Sequence, residues 1–133
     1  MKLLLMVMAI LEAIAGLVLL VVPAIGVSKL LGTPLDTPGG LVMARVAGAA
    51  LVSLGVACWQ LRNGERGSAS TNLIQAMLVY NVGAAAVLIY AGLRLKLQSD
   101  FLWPATLLHQ GLSLWCLITL WFTRRKAVLA ATH

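Results

Sequence analysis

Acidic residues are nearly absent from this sequence: Glu12, Asp36, Glu65 and Asp100 are the only four among its 133 residues. Charged residues of both signs make up 11% of the chain, whereas a typical globular protein has about 25%. Hydrophobic residues make up 61%. A soluble domain could not cover so much apolar surface with so few charges, so the composition excludes that class and favours a membrane protein.

The residue types used in common catalytic and metal chemistry are scarce. One of the two histidines, His133, is the last residue, so no histidine pair has metal-ligand spacing; bis-histidine haem ligation is excluded and a single axial ligand stays open. Cys58 and Cys116 lie in apolar stretches without CxxC spacing and fit small buried hydrophobes better than a metal or redox role. The sequence has no glycine-rich phosphate loop and no Ser-His-Asp arrangement. We therefore predict no cofactor and no metal, and the sequence favours a function other than catalysis.

Basic residues outnumber the acids ten to four, which gives a net charge of +6. They lie in short loops and near the C-terminus, where they act as topology determinants and as contacts to anionic lipid headgroups. The charge therefore predicts the lipid bilayer as a partner and not a nucleic acid.

Long apolar runs are what this chain does have. Four of them, about 3–22, 41–61, 73–93 and 101–123, are near the ~20 residues that cross a hydrocarbon core. Helices are expected, because no alternating pattern indicates a barrel. We predict one all-α domain, an integral membrane four-helix bundle. The first run resembles a signal peptide at Ala13-Ile14-Ala15, but Glu12 interrupts it and it continues to Val22, so we expect a retained first helix.

The connections between the runs also carry signals. Ala24 to Leu31 predicts a short interfacial helix, followed by turns at Thr33-Pro34 and Thr37-Pro38. The second loop, Asn63 to Asn72, is expected to be exposed and mobile. In the third, Ser99 or Asp100 is expected to cap the last helix.

Lysine and arginine counts predict the orientation. Six basic residues flank the membrane on the side of the termini and three on the opposite side: Lys2, Arg62, Arg66, Arg124, Arg125 and Lys126 against Lys29, Arg94 and Lys96. This bias favours both termini in the cytoplasm.

Each apolar run holds a polar residue where lipid tolerates few: Glu12, Arg45, Asn81 and His109. Such residues are a functional hypothesis by default. Counted at ~1.5 Å per residue, all four can meet in the half of the bundle away from the termini. Thr106 lies three residues before His109 and Ser113 four residues after it, so all three share one face of the predicted helix. These six residues are our candidate ligand- or proton-binding site.

Other interpretations of the same residues remain open. Glu12 and Arg45 can form a structural ion pair, or Arg45 can reach the headgroups instead. Asn81 can be interhelical glue, and His109 a proton carrier, a ligand contact or a packed side chain. Small residues are expected to allow tight helix packing at Gly48, Gly55 and the tract 83–86.

Three classes of function follow. The first is binding or translocation of a small apolar or amphipathic molecule, or of a proton, at the polar cluster. The second is an accessory or structural subunit of a larger membrane complex. The third is an intramembrane isomerase that uses Glu12 and His109. A homo-oligomer is also expected, because four helices offer little interior.

Several segments resemble a known group of proteins. They are LEAIAG around Glu12, LLGTPLD in the first loop, ARVAGAALVSLGVACW around Arg45, MLVYN ending at Asn81 and LWPATLLH ending at His109. With them the chain resembles small four-span bacterial membrane proteins that are broadly DoxX-like. The resemblance implies a bacterial inner-membrane location and a four-helix fold, and it brings no established biochemistry. AILEAIAG is also similar to the first helix of small multidrug transporters, but Arg45 and the long first loop depart from their pattern.

Overall fold

The computed structural model describes residues 1–63 and 68–131, with side chains for all of these except 68 and 126–131. Within those ranges the chain is helical and has no strand. The helices are α1 (Lys2–Val21), α2 (Pro23–Leu31), α3 (Pro38–Leu61), α4 (Ser68–Leu93) and α5 (Leu102–Ala131). All but α2 are long and apolar enough to cross a membrane. The predicted all-α bundle of four spanning helices is confirmed, and α2 matches the predicted short helix.

Prolines and caps set the helix boundaries in the first loop. Pro23 lacks an N–H and takes the first position of α2, which ends at Gly32 in the left-handed conformation, with φ 71°. Thr37 caps α3: its hydroxyl accepts the Gly40 N–H at 3.2 Å, with Pro38 as the first helical residue. α3 therefore begins at Pro38 rather than at 41.

The last two spans are longer than predicted. α4 begins at Ser68 rather than at 73, and α5 continues to Ala131 rather than ending at 123. Four residues of the second loop, 64–67, lie outside the described residues. The described end of that loop is helical, because the polar run from Ser68 to Asn72 extends α4.

Glycines bring α1 and α3 into close contact. A Cβ at Gly48 would lie 2.7 Å from the Gly16 carbonyl oxygen, and a Cβ at Gly16 would lie 2.7 Å from that of Gly48. About two helical turns further along α3, a Cβ at Gly55 would lie 3.0 Å from the Ala9 carbonyl oxygen. Backbones approach this closely only where side chains are missing. The predicted role of Gly48 and Gly55 is confirmed, and α1 with α3 forms one tightly packed pair.

The second pair is α4 with α5, and the two pairs join through a buried cluster at the end of the bundle that holds the N-terminus. We call this region the closed half. Its buried residues are Leu4, Leu5, Met8, Ala9, Cys58, Ile74, Met77, Leu112, Cys116 and Leu120. Met1 and Leu61 pack against the cluster. The cluster packs the centre of this end, and a cleft of about 720 Å³ lies beside it between α4 and α5, lined by residues such as Gln75, Leu117 and Arg124.

At the other end of the bundle, two loops contact each other. The Ser99 hydroxyl donates to the Lys29 carbonyl and accepts the Phe101 N–H at 3.1 Å. A Cβ at Gly32 would overlap the Gln98 carbonyl. Ser99 therefore serves the start of α5, as one of its two predicted caps, and also ties the third loop to the end of α2.

Candidate functional site

Four polar side chains from three helices meet at mid-span. The Tyr80 hydroxyl on α4 donates to Glu12 Oε2 on α1 at 3.2 Å. The Tyr80 ring also meets the His109 ring of α5 edge to face, with centroids 5.8 Å apart. His109 Nδ1 lies 2.8 Å from Asn81 Oδ1. Tyr80 therefore contacts both the Glu12 carboxyl group and the His109 imidazole, and the adjacent residue Asn81 contacts the imidazole at Nδ1.

Asn81 fixes the orientation of the imidazole. Its side-chain Nδ2 donates to the Met77 carbonyl at 2.8 Å, one helical turn earlier on α4. The amide oxygen Oδ1 is therefore the atom that faces His109. Asn81 is fully buried, so both ends of its amide are paired inside the bundle.

A cavity of about 830 Å³ adjoins this cluster. Glu12, Tyr80 and His109 are the polar side chains on its wall, and all its other lining residues are apolar or glycine. Two lining residues of α4, Val79 and Val87, are 73% and 67% exposed. Ile14 of α1 and Leu108 of α5 also line the cavity and are 58% and 45% exposed, so the cavity opens at the side of the bundle.

The sequence explains why this end of the bundle is not filled. Residues without large side chains line the cavity on every helix: Ala15, Gly26, Ala47, Gly83, Ala84 and Ala105. We call this region the cavity half. At comparable interior positions the closed half carries Leu, Ile and Met. The cavity therefore follows from side-chain volume and not from a break in the helices.

Arg45 does not join the cluster. Its side chain is exposed, and Nε donates to the Leu20 carbonyl at 3.3 Å. Leu20 lies in the last turn of α1, where carbonyls lack helical partners and a basic side chain also stabilises the helix dipole. Arg45 thus caps the C-terminus of α1.

The expected Glu12–Arg45 ion pair is therefore corrected: it is not formed in the described part of the chain, where Glu12 bonds Tyr80 instead. The physical reason is depth. Leu20 follows Glu12 by eight residues, which places the Arg45 contact about 12 Å further along α1.

The predicted polar stripe on α5 bonds to its own helix. Thr106 donates to the Leu102 carbonyl and Ser113 to the His109 carbonyl, each at 2.8 Å. Neither residue lines the cavity. Of the six predicted site residues, the structure brings Glu12, Asn81 and His109 together with Tyr80, and leaves the other three outside.

Sequence reasoning did not include Tyr80 among the candidate site residues. A usable signal existed, because a tyrosine hydroxyl buried at mid-span needs a hydrogen-bond partner. Sequence reasoning also assigned the wrong role to Gly83. That glycine was expected to allow tight helix packing, but a Cβ there would meet nothing within 4 Å, and the residue lines the cavity.

The titratable side chains do not gather into a metal site. Among the described residues no group of three or more His, Cys, Asp or Glu comes together. Cys58 and Cys116 are free and buried in the closed half. The titratable side chains of the cluster, Glu12, Tyr80 and His109, can form hydrogen bonds and exchange protons.

Comparison with protein-family models, with curated proteins and with solved structures finds no match to this chain. A functional conclusion for this multi-pass, helical-bundle protein therefore rests on the geometry of the site.

Proposed function

We propose that this chain binds a small apolar or amphipathic molecule in the cavity half, with Glu12 and His109 as its polar contacts. One observation carries the proposal: a cavity of about 830 Å³ adjoins both side chains within the membrane-spanning part of the bundle. Small-molecule sites in proteins range from about 300 to 1,000 Å³, and they combine an apolar wall with a few polar groups.

The placement of the polar residues also supports binding. A polar side chain inside a membrane is costly unless it is paired or used. Asn81, Thr106 and Ser113 are paired within their own helices. Glu12 and His109 differ, because each has one partner and a face on the cavity. These are the positions where a ligand would complete the hydrogen bonding.

The alternatives fit this geometry less well. An accessory subunit needs only a packed polar cluster, and packing alone does not explain small residues on five cavity-lining helices. An isomerase needs an acid and a base at one reacting carbon. Tyr80 stands between Glu12 and His109 and already donates to the carboxyl group.

We also propose a location, the bacterial inner membrane with both termini in the cytoplasm. Arg62 stacks on Trp59 at 3.6 Å and Arg125 on Trp121 at 3.8 Å. Both pairs lie at the end that holds the N-terminus, and paired Arg and Trp suit the headgroup boundary of a positively charged cytoplasmic side. A C-terminal alkaline phosphatase fusion is expected to be inactive; an active fusion would reverse the orientation.

The broadly DoxX-like relationship belongs with this location as a proposal. It is supported by the segments around Glu12, Arg45 and His109 and by the four-span length, and it assigns no ligand. Association into a homo-oligomer or a larger complex is likewise proposed, since large apolar side chains are exposed along every spanning helix.

Photolabelling tests ligand binding directly. The probe is decanol carrying a diazirine on its chain, added to the protein in phosphatidylcholine nanodiscs. We expect saturable labelling of cavity-lining residues such as Leu51 and Leu88, beside unsaturable labelling of lipid-facing residues such as Leu107.

Two glycines supply matched variants. A Cβ at Gly83 or at Gly111 meets nothing within 4 Å, but only Gly83 lines the cavity. Gly83→Phe is expected to abolish the saturable labelling, and Gly111→Phe to preserve it at equal thermal stability. Labelling confined to lipid-facing residues in the wild type, or equal cavity labelling in both variants, would refute the proposal.

A further inference from the structure

Few polar atoms line the cavity wall. Glu12, Tyr80 and His109 are its polar side chains, and the Tyr80 O–H is already donated to Glu12 Oε2. Two atoms then have no partner among the described residues: Glu12 Oε1 and His109 Nε2. Oε1 accepts in a carboxylate and can donate when the carboxyl group is protonated. The character of Nε2 depends on the tautomer of the ring.

The hydrogen bonds of Asn81 determine that tautomer. Because Asn81 Nδ2 donates to the Met77 carbonyl, Oδ1 is the acceptor that faces His109 Nδ1. The opposite amide orientation would set two oxygens against each other. His109 Nδ1 therefore carries the proton, and in a neutral imidazole the other nitrogen, Nε2, offers a lone pair.

Both atoms belong to residues that line the same cavity. Among the described residues no fully buried side-chain nitrogen or oxygen lacks a hydrogen-bond partner, so neither atom is fully buried, although Glu12 as a whole is only 3% exposed. The cavity therefore offers His109 Nε2 as a hydrogen-bond acceptor. Glu12 Oε1 adds a second acceptor when the carboxyl group is ionised and a donor when it is protonated.

We propose that the ligand is an uncharged molecule with an apolar body and a hydroxyl headgroup, which donates its O–H to His109 Nε2 and whose oxygen can accept from a protonated Glu12. This inference rests on the proposed function and adds the chemistry of the headgroup. An alkane or an ether has no donor and leaves Nε2 unpaired. A carboxylate would present only acceptors to Nε2.

A primary ammonium group would be favoured over a hydroxyl only by an ionised Glu12, with which it would form a charge-assisted hydrogen bond. Beside a protonated Glu12, its three N–H donors would exceed the acceptors of the cavity wall. A hydroxyl has one donor, which Nε2 satisfies in either protonation state of Glu12. A comparison of a hydroxyl with an ammonium headgroup therefore separates the two cases.

A competition series separates the headgroup from the apolar body. Decanol, its methyl ether, decylamine and decanoate share a chain, and each competes with the diazirine decanol for the cavity in nanodiscs. We expect decanol to compete about tenfold better than the ether, the factor that one hydrogen bond of ordinary strength gives, and decanoate not to compete. Equal competition by decanol and the ether, or stronger competition by decylamine, would overturn the inference and leave ligand binding itself intact.

Histidine nitrogen resonances report the acceptor directly. In protein with ¹⁵N-labelled histidine and His133→Ala, one imidazole remains. We expect a protonated Nδ1 and an unprotonated Nε2, whose resonance moves when decanol is added and does not move with the ether. A ring protonated on both nitrogens, or an Nε2 signal that ignores decanol in protein that binds it, would refute the assignment.

Two variants distinguish acceptor loss from general disruption. Tyr80→Phe removes the donor to Glu12 and frees Oε2 as another acceptor, so the preference for decanol over the ether is expected to persist or to rise. Glu12→Leu with His109→Phe removes both acceptors and is expected to abolish that preference while the probe still labels the cavity. A preference that survives the double change would contradict the proposal.

Discussion

The same four spanning helices build both the closed half and the cavity half of this bundle, but they contribute side chains of different size to each. The closed half buries Leu4, Leu5, Met8, Ile74 and Met77 completely or almost so. The cavity half has an alanine or a glycine from every helix on its wall, beside larger apolar side chains such as Leu11, Leu51 and Val87. In a membrane no hydrophobic force draws helices together, so packing must hold them.

The comparison shows how a small membrane protein can keep an open interior. Helix pairing is secured by the glycine contact between α1 and α3 and by the closed half. Side chains of the cavity half are therefore not needed to hold the helices together. The buried cluster and the cavity are located at different depths, and residues can be changed at one depth with limited effect at the other.

The largest effect is expected where both halves depend on one contact. In Gly48→Leu the new Cβ would lie 2.7 Å from the Gly16 carbonyl oxygen and 2.8 Å from the Leu20 nitrogen. Backbone atoms cannot rotate away, so the α1–α3 pair must separate. We expect a loss of about 3 kcal/mol in the free energy of unfolding, measured by titration with dodecyl sulfate in mixed micelles.

Gly111→Leu is the matched control, because a Cβ there meets nothing within 4 Å. Its stability is expected to be unchanged or raised by up to about 0.8 kcal/mol, from the better helix propensity of leucine. Similar losses in both variants would mean that the glycine contact does not hold the pair.

An intermediate effect separates the two halves directly. Leu5→Ala removes a side chain that is 0% exposed in the closed half, and Leu51→Ala removes one that borders the cavity. We expect a loss of about 2 kcal/mol for Leu5 and under ~1 kcal/mol for Leu51, because a side chain beside open space already lacks contacts on one face. The same titration measures both, and equal losses would remove the distinction between the halves.

The smallest effect is expected from a pair that does not touch. Arg45→Met removes the bond to the Leu20 carbonyl, a loss of about 1 kcal/mol. Glu12→Gln keeps an acceptor for Tyr80. In a double-mutant cycle, thermal unfolding in micelles should give additive effects, with a coupling energy within ~0.5 kcal/mol. If the double variant instead regains the stability lost by the single ones, the two residues interact as an ion pair after all.

Span positions and helix pairing could be predicted from the sequence because they depend on local patterns. The length of the apolar runs predicted the four spans, Pro23 and Gly32 delimit α2, and Gly48 and Gly55 predicted close helix packing, which the structure shows to be with α1. The errors lie at helix ends. α3 begins earlier because Thr37 caps it, and α5 continues because the end of a helix need not coincide with the end of an apolar run.

The site was only partly predictable. Depth along each helix placed Asn81 and His109 at one level, and they bond to each other. Depth did not give the direction of a long side chain, so pairing of Arg45 with Glu12 and contact with the headgroups both stayed open, whereas Arg45 caps α1. Tyr80 and the cavity were missed because both depend on how residues from different helices face one another, which no single run encodes.

The sideways opening of the cavity decides which solvent would supply the proposed ligand. Molecules that enter through the side of a membrane-spanning bundle arrive from the bilayer, so the membrane would be their reservoir. Ten methylenes favour transfer from water to lipid by about 8 kcal/mol, roughly a millionfold enrichment. A contact at Glu12 or His109 would need only to discriminate among molecules that partitioning has already concentrated. Under the proposed function, occupancy of the cavity would be governed by mole fraction in the lipid rather than by aqueous concentration.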